Sequence, residues 1–181
     1  MRDICQLQND LRALAGKTLI CYTVIIEKKG DHSMRRLFIY YSLSGNGDAV
    51  ADKLKERGFE IRRVVPKKKP PKKFFLQILA GGFNAGRKYR EPLKDYDADV
   101  SAFDEIVIGS PVWNGRLSCP INTVLAETDL KNKKVKIVLY SGSGEAPKAE
   151  KQIRTILPDA AIVHLKEPKK NPESLEKLSE L

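Results

Sequence analysis

Long hydrophobic runs are absent from this chain of 181 residues, because no apolar segment reaches the ~18 uninterrupted residues that a membrane-spanning helix needs. Its three cysteines, Cys5, Cys21 and Cys119, form no CxxC motif and have no histidine cluster beside them. This spacing argues against a zinc site and against a disulfide framework, and it fits a reducing compartment. Nothing near the N-terminus resembles a secretory signal. We therefore expect a cytoplasmic protein with no bound metal and no membrane span.

Acidic residues are missing from one stretch of this basic chain, whose formal net charge is +10. Residues 62–73 read RRVVPKKKPPKK. Such a run is usually a solvated loop, and the functional alternative is a docking surface for an acidic protein, an anionic substrate, nucleic acid or a membrane surface. No aromatic residue is interleaved with the basic ones and no nucleic-acid-binding motif is present, so nucleic acid is the weakest of these partners.

Short apolar runs alternate with amphipathic segments along the chain. Residues 37–41 are apolar and rich in aromatic and branched side chains, which predicts a buried strand. Residues 47–57 place apolar side chains on one helical face and precede Gly58, which predicts a helix capped at its C-terminus. Residues 59–65 alternate apolar with polar side chains, which predicts a second strand.

The same alternation continues to the C-terminus. It predicts strands at 103–110, 133–141 and 160–166, and helices at 119–127, 146–157 and 172–181. Ser118 is placed as the N-cap of the helix at 119–127, and Pro120 lies in its first turn. Strands that alternate with helices imply a parallel sheet covered on both faces. We therefore predict a three-layer, doubly wound α/β domain.

Two segments stand outside this alternation. Residues 74–88, FFLQILAGGFNAGRK, begin as an amphipathic helix that breaks at Gly81 and Gly82, and we expect a flap near the ligand site. Residues 1–33 precede the first strand and have no place in the sheet, whereas Met34 opens directly onto it. We interpret residues 1–33 as an N-terminal extension, either disordered or the product of a mis-assigned gene start, before a domain at 34–181.

Parallel sheets bind ligands at the carboxyl ends of their strands, close to the point where the crossover direction switches. Three loops follow predicted strands at that edge, and they read SLSGNG, SPVWNGR and SGSGE. The candidate site residues are Ser42, Leu43, Ser44, Gly45, Asn46, Gly47, Pro111, Val112, Trp113, Asn114, Gly115, Arg116, Ser141, Gly142, Ser143 and Gly144. No side chain among them is an obvious general acid, base or nucleophile, so no catalytic residue is assigned.

The first loop has the composition of a phosphate cradle. Ser42 and Ser44 offer hydroxyl groups, while Gly45 and Gly47 let the backbone turn tightly and aim successive amides inward. The helix that follows adds the positive end of its dipole. An ordinary tight turn between a strand and a helix would use the same residues, so this loop alone favours a phosphate monoester only slightly.

The other two loops favour a flat heterocycle beside the phosphate. Trp113 is the single tryptophan and lies where an indole could stack on such a ring, although a core tryptophan covering the sheet edge is the simpler alternative for a lone position. Residues 141–144 are small, and their free amides can approach a ring edge closely and bond to its carbonyl and imide groups.

The motifs YYSLSGNGDAVA and IVIGSPVWNGRLSCPINTVL, at this spacing, resemble those of the flavodoxin-like family over about residues 34–181. The resemblance implies a five-stranded parallel sheet of order 2-1-3-4-5 and FMN as the cofactor. It implies that Ser42, Ser44, Gly45, Asn46 and Gly47 hold the phosphate. By the same matching, residues 111–115 flank the isoalloxazine ring and residues 141–144 meet its pyrimidine end.

The sequence also departs from the family pattern. Gly47 stands where a threonine is usual, which removes one hydroxyl donor, and Asp48 brings a carboxylate near a dianion, so we expect weaker FMN binding. The third loop lacks the aromatic residue that often covers the flavin, which leaves one ring face open. Arg116 adjoins the flavin loop, and a cation near the ring stabilises its reduced anion. We therefore predict a flavin less reducing than that of a typical acidic flavodoxin.

Three functions remain open. The first is an electron carrier between protein partners, for which the basic surface favours an acidic redox protein. The alternative is an FMN-dependent NAD(P)H:quinone-type oxidoreductase, and the last is a flavin-free α/β module that binds a partner. The main competing fold is a nicotinamide-binding Rossmann domain, but Val50 occupies the third glycine position of GxGxxG. Serine hydrolase chemistry is weaker still, because residues 141–144 lack GxSxG.

Overall fold

A parallel β-sheet forms the centre of the computed structural model, which describes residues 34–68 and 89–181. The predictions for residues 1–33 and 74–88 therefore lie outside the described residues. Within the described ranges the parallel strands are β1 (Arg36–Tyr40), β2 (Glu60–Arg63), β3 (Glu105–Trp113), β5 (Lys134–Ser141) and β6 (Ala161–Lys166), and the short β4 (Arg116–Leu117) pairs antiparallel with the end of β3.

The strand order is β2-β1-β3-β5-β6. Because β4 only returns along β3 and does not enter this path, the order is the 2-1-3-4-5 predicted above, and the flavodoxin-like fold is confirmed. The crossover direction reverses between β1 and β3, which pair in register with Ile39 beside Ile108. The switch point expected to bind a ligand therefore lies at the carboxyl ends of these two strands.

The helices of the described ranges are α1 (Asn46–Glu56), α2 (Cys119–Glu127), α3 (Pro147–Ile156) and a 3₁₀ helix (Pro172–Glu180). The α1 helix ends as predicted, since Gly58 has φ of 80° and the amides of Gly58 and Phe59 donate to Lys55 O and Leu54 O. The last segment was predicted as an α-helix and is a 3₁₀ helix, in which residues three apart stack. Leu175 and Leu178 have that spacing and face the core.

The core has one layer on each side of the sheet, as period-two strands require. Along β1, Leu37 and Ile39 point to the layer that contains side chains of α2 and α3, while Phe38 points to the layer that contains side chains of α1 and the 3₁₀ helix. All three side chains are fully buried. No helix within the described ranges is long and apolar enough to cross a membrane.

Candidate functional site

A cavity of about 260 Å³ lies at the carboxyl ends of the strands. Its walls bring together the three loops that the sequence singled out. The lining residues are Leu43, Ser44, Asn46, Pro111, Val112, Trp113, Asn114, Tyr140, Ser141, Gly142 and Glu167. All of these except Tyr140 and Glu167 belong to the predicted set.

The side chain of Ser42 holds the first loop through two hydrogen bonds. Its side chain is buried, and its Oγ accepts hydrogen bonds from the amides of Gly45 and Gly47, both at 3.2 Å. Gly45 is the N-cap of α1 and adopts φ of 91°, a left-handed conformation that glycine takes without strain. The Ser42 hydroxyl therefore fixes the turn between β1 and α1.

The start of α1 keeps two amides available. The first N–H groups of any helix lack an intrahelical partner. Ser42 accepts those of Gly45 and Gly47, whereas the amides of Asn46 and Asp48 have no hydrogen-bond partner among the described residues. Two amides without a partner in these ranges therefore lie at the positive end of the helix dipole, and one of them belongs to Asn46, which lines the cavity. Such a helix N-terminus can bind a phosphate monoester. The loop therefore fits the phosphate of FMN.

Close packing accounts for the glycine at position 47. A Cβ atom there would lie 2.6 Å from the Tyr140 hydroxyl oxygen and 2.8 Å from a ring carbon of Tyr40, so a threonine cannot fit without displacing one of the rings. The Tyr140 hydroxyl group donates its proton to the carbonyl oxygen of Tyr41. Burial raises the pKa of Tyr140 well above its usual value.

The carboxylate of Asp48, at the phosphate loop, is paired with two other side chains. Its Oδ1 accepts a hydrogen bond from the Tyr40 hydroxyl at 2.8 Å and lies 3.1 Å from the Arg63 guanidinium. Burial and this hydrogen bond raise the pKa of Tyr40 to about 12. Arg63 also donates to the carbonyl oxygen of Ser42 at 3.2 Å. The expected repulsion is thus compensated by Arg63, which lies at the end of the neighbouring strand β2 and was not predicted as a site residue.

The second loop is a β-hairpin. The strand predicted to end at residue 110 continues to Trp113, which pairs with Arg116 of β4. Asn114 and Gly115 between them have φ of 49° and 73°, the left-handed pair that an Asn-Gly turn provides. Cross-strand pairing therefore makes this loop rigid where the sequence indicated only a glycine- and proline-bearing connection.

Trp113 packs against the core and also lines the cavity. Its ring packs edge-on against Tyr41, with ring centroids 5.6 Å apart and planes at 89°, and the residue is half-buried against the core. It also lines the cavity. The rigid hairpin and Tyr41 therefore hold the indole in one position at the cavity wall, where a flat ring can stack against it.

Arg116 lies outside the cavity lining. With Lys148, Lys151, Gln152 and Thr155 it lines a separate groove of about 330 Å³. Among the described residues, Arg116 is therefore not part of the cavity lining as the sequence led us to expect, and the charged residue of these ranges that lines the cavity is Glu167. Glu167 is paired with Lys170 at 2.6 Å.

The third loop contributes only its first half to the cavity. Ser141 Oγ accepts the amide of Gly144 at 2.9 Å, and Gly144 lies against Lys166, so the second half turns away towards β6. Gly142 lines the cavity, and a Cβ atom there would have no atom of the described residues within 4 Å. The described residues therefore leave the space beyond Gly142 open.

The loop after β6 was missed by the sequence reasoning. Glu167 adopts φ of 38°, and its amide donates to the carbonyl oxygen of Ser141 at 3.0 Å. Lys169 donates its amide to Asn46 Oδ1 at 3.2 Å. The sequence could have indicated this loop, because the carboxyl end of every parallel strand lies at the same edge of the sheet. Only the loops after three of those strands were considered.

In the described part of the chain, no cluster of His, Cys, Asp or Glu could hold a metal ion.

Most of the chain matches one known protein family. Residues 34–169 match the family described as NADPH-dependent FMN reductase. No curated protein sequence matches the chain.

Solved structures share the fold at low sequence identity. A flavoprotein from Lactobacillus acidophilus in complex with FMN is 21% identical, with a TM-score of 0.60 over 78% of this chain and 98% of that one. A protein from Bacteroides eggerthii described as a candidate flavoprotein is 18% identical, with a TM-score of 0.64 over 81% and 96%. A second candidate flavoprotein, from Bacteroides uniformis, is 24% identical, with a TM-score of 0.56 over 71% and 86%.

Proposed function

Because the chain belongs to the NADPH-dependent FMN reductase family and is therefore an FMN-binding flavoprotein, we propose that it is an NAD(P)H-dependent oxidoreductase that works through FMN held in the 260 Å³ cavity. The sequence alone favoured an electron carrier and kept the reductase as the alternative. The family match supports the alternative better. It also supports FMN as the cofactor, so the flavin-free module is set aside.

The observation that carries the proposal is the meeting of three loops around one cavity, beside a helix start at which two amides have no partner among the described residues. The amides of Asn46 and Asp48 bind the phosphate, and Ser42 holds the turn that presents them. Trp113 lies at the cavity wall and positions the ring by stacking. These residues orient the cofactor and shield part of it from water.

When bound, FMN would supply the redox chemistry, namely acceptance of a hydride from NADPH with release of NADP⁺ and delivery of that hydride, with one proton from solvent, to an acceptor such as a quinone. The protein must leave room for both partners on one ring face. Gly142 provides that room, because no atom of residues 34–68 and 89–181 lies within 4 Å of its Cβ position and φ there is outside the left-handed region. A nicotinamide and then a quinone can therefore approach over Gly142.

Replacing Gly142 tests this access directly. Gly142→Phe adds a ring where the space is open, so the fold and FMN affinity are expected to persist while NADPH turnover with a soluble quinone falls at least tenfold. Gly142→Ala is the matched control, since a methyl group does not cover the ring. The measurements are FMN affinity by flavin fluorescence and the rate of NADPH oxidation in the absence of any other protein. A wild-type protein that binds FMN and does not oxidise NADPH or NADH would contradict the reductase.

A specific observation favours electron exchange with an acidic protein as a second function. Arg116, Lys148 and Lys151 line one groove, and none of them forms an ion pair with another residue of the described ranges. Such a surface attracts an acidic redox protein and makes the association sensitive to salt. The double variant Lys148→Gln and Lys151→Gln is expected to slow electron transfer to an acidic flavodoxin or ferredoxin at low salt and to leave NADPH:quinone turnover unchanged. Equal transfer by variant and wild type would exclude this surface.

A further inference from the structure

The segment after β6 is held against the phosphate loop by its backbone. The amide of Lys169 donates to Asn46 Oδ1 at 3.2 Å, and the amide of Lys170 donates to the carbonyl oxygen of Glu167 at 2.8 Å. The side-chain amide of Asn171 closes the turn by donating to the carbonyl oxygen of Lys166 at 3.0 Å. These bonds fix the backbone of Lys169 beside the first turn of α1 without using its side chain.

The side chain of Lys169 lies over Gly45. A Cβ atom built on Gly45 would be 3.0 Å from Lys169 Cδ and 3.2 Å from its Nζ. Gly45 is the N-cap of α1, so the ammonium group lies at the positive end of the helix, where the amides of Asn46 and Asp48 have no partner among the described residues. A cation placed there is repelled by the helix dipole unless an anion lies between them.

The other charges near this loop already have partners. Asp48 is paired with Arg63 at 3.1 Å, and Glu167 is paired with Lys170 at 2.6 Å. Lys169 forms no ion pair within the described ranges and is exposed to solvent. The neighbourhood of the loop therefore keeps one positive charge that no carboxylate of these ranges neutralises.

We propose that Lys169 supplies the counter-charge to the FMN phosphate and sets the preference of this protein for FMN over riboflavin, an inference that rests on the proposed FMN site. The ammonium group replaces the threonine hydroxyl that Tyr140 and Tyr40 exclude from position 47. A lysine suits this role because its compact charge can meet any oxygen of a phosphate dianion. The phosphate group of the flavin is thereby recognised by charge, while Trp113 binds the ring by stacking.

The test compares two flavins that differ only in the phosphate. Lys169→Gln is expected to weaken FMN binding about tenfold and to leave riboflavin affinity within twofold of wild type. Lys169→Arg, which keeps the charge, is expected to restore most of the preference. Lys177→Gln is the matched control, because it removes the same charge from an exposed position of the 3₁₀ helix. Dissociation constants are measured by quenching of flavin fluorescence at low and at moderate salt, and the FMN affinity of Lys169→Gln is expected to depend less on salt.

Each other outcome overturns the inference. An unchanged ratio of FMN to riboflavin affinity in Lys169→Gln would show that the ammonium group does not contact the phosphate. An equal loss for both flavins would assign Lys169 a structural role in the loop. In either case wild-type protein that still binds FMN and oxidises NADPH leaves the proposed function intact. Wild-type protein that binds neither flavin would refute the FMN site and this inference together.

Discussion

The two ends of the sheet differ in whether their polar groups have partners among the described residues. At the amino end Glu105 is buried, and its carboxylate lies 2.7 Å from the Lys136 ammonium and 3.5 Å from that of Lys134. Lys133 donates to the carbonyl oxygens of Ser101 and Phe103 at 2.9 and 2.7 Å. At the carboxyl end, by contrast, two amides of α1 have no partner among the described residues and Lys169 forms no ion pair with any of them.

The cavity expected to bind the cofactor is not distinguished by its volume. A cavity of about 310 Å³ lies at the amino end, between the starts of β5 and β6, and the groove at Arg116 has about 330 Å³, whereas the candidate cofactor site has about 260 Å³. The lysines around the amino-end cavity already bond to protein atoms. The amides of Asn46 and Asp48 and the ammonium group of Lys169, rather than volume, therefore distinguish the end that is expected to bind the cofactor.

Breaking the amino-end ion pair should have the largest effect. Glu105→Gln leaves the nearly buried Lys136 ammonium without a charge partner, so we expect the free energy of unfolding to fall by about 3 kcal/mol or more. FMN affinity of the folded protein should stay within twofold of wild type. Chemical denaturation and flavin titration measure the two quantities, and a variant with lost affinity at full stability would contradict the separation of the two ends.

Acid should break the same pair by protonation. Burial alone would raise the pKa of Glu105, but the charges of Lys136 and Lys134 hold it below the ordinary value of 4.5. The pair therefore stabilises the fold fully above pH 4.5, and this contribution is lost as pH falls through the lower pKa of the folded state. The difference in stability between wild type and Glu105→Gln should narrow over that range. A difference that stays constant with pH would show that Glu105 is not the titrating group.

Crowding the phosphate loop should have the next largest effect. Gly47→Ala places a methyl group against Tyr140 and Tyr40, which we expect to cost about 2 kcal/mol of stability and to weaken FMN binding by shifting the loop. The double variant Gly47→Ala and Tyr140→Phe removes the nearest clashing atom and should recover part of both losses. Additive losses in the double variant would show that the hydroxyl contact is not the cause.

Replacing the tryptophan should have the smallest effect. Trp113→Leu keeps an apolar residue in the hairpin but removes the stacking surface, so FMN and riboflavin should both bind more weakly by about 1 kcal/mol. This equal loss contrasts with the selective loss expected for Lys169→Gln. A selective loss of FMN alone in Trp113→Leu would place the indole at the phosphate instead of the ring.

Patterns within single segments predicted most of the fold. The alternation of apolar strands and amphipathic helices gave the layers, and Gly58 marked the end of α1 because a glycine cap is a local feature. The extension of β3 to Trp113 depends on pairing with Arg116, and the 3₁₀ geometry around Leu178 depends on docking against the core. Such tertiary contacts cannot be predicted from the sequence of either segment alone.

The same distinction applies to the site. The three loops were visible as runs of small and hydroxylated residues, and each of them contributes residues to the cavity lining. Arg63 and Lys169 were not visible, because each reaches the first loop from another strand end. Arg116 was assigned to the ring because it is adjacent in sequence, yet the hairpin turns it into a different groove.

The contact between Gly47 and Tyr140 also constrains how this loop can change over evolutionary time. The atoms that exclude a side chain at position 47 belong to residues 93 and 7 positions away along the chain, so neither the loop nor strand β5 can be altered independently. A lineage that acquires threonine at position 47 must first lose bulk at position 140 or position 40, and the reverse order passes through a destabilised intermediate. Among relatives, threonine at the first position and tyrosine at the second should therefore rarely occur together.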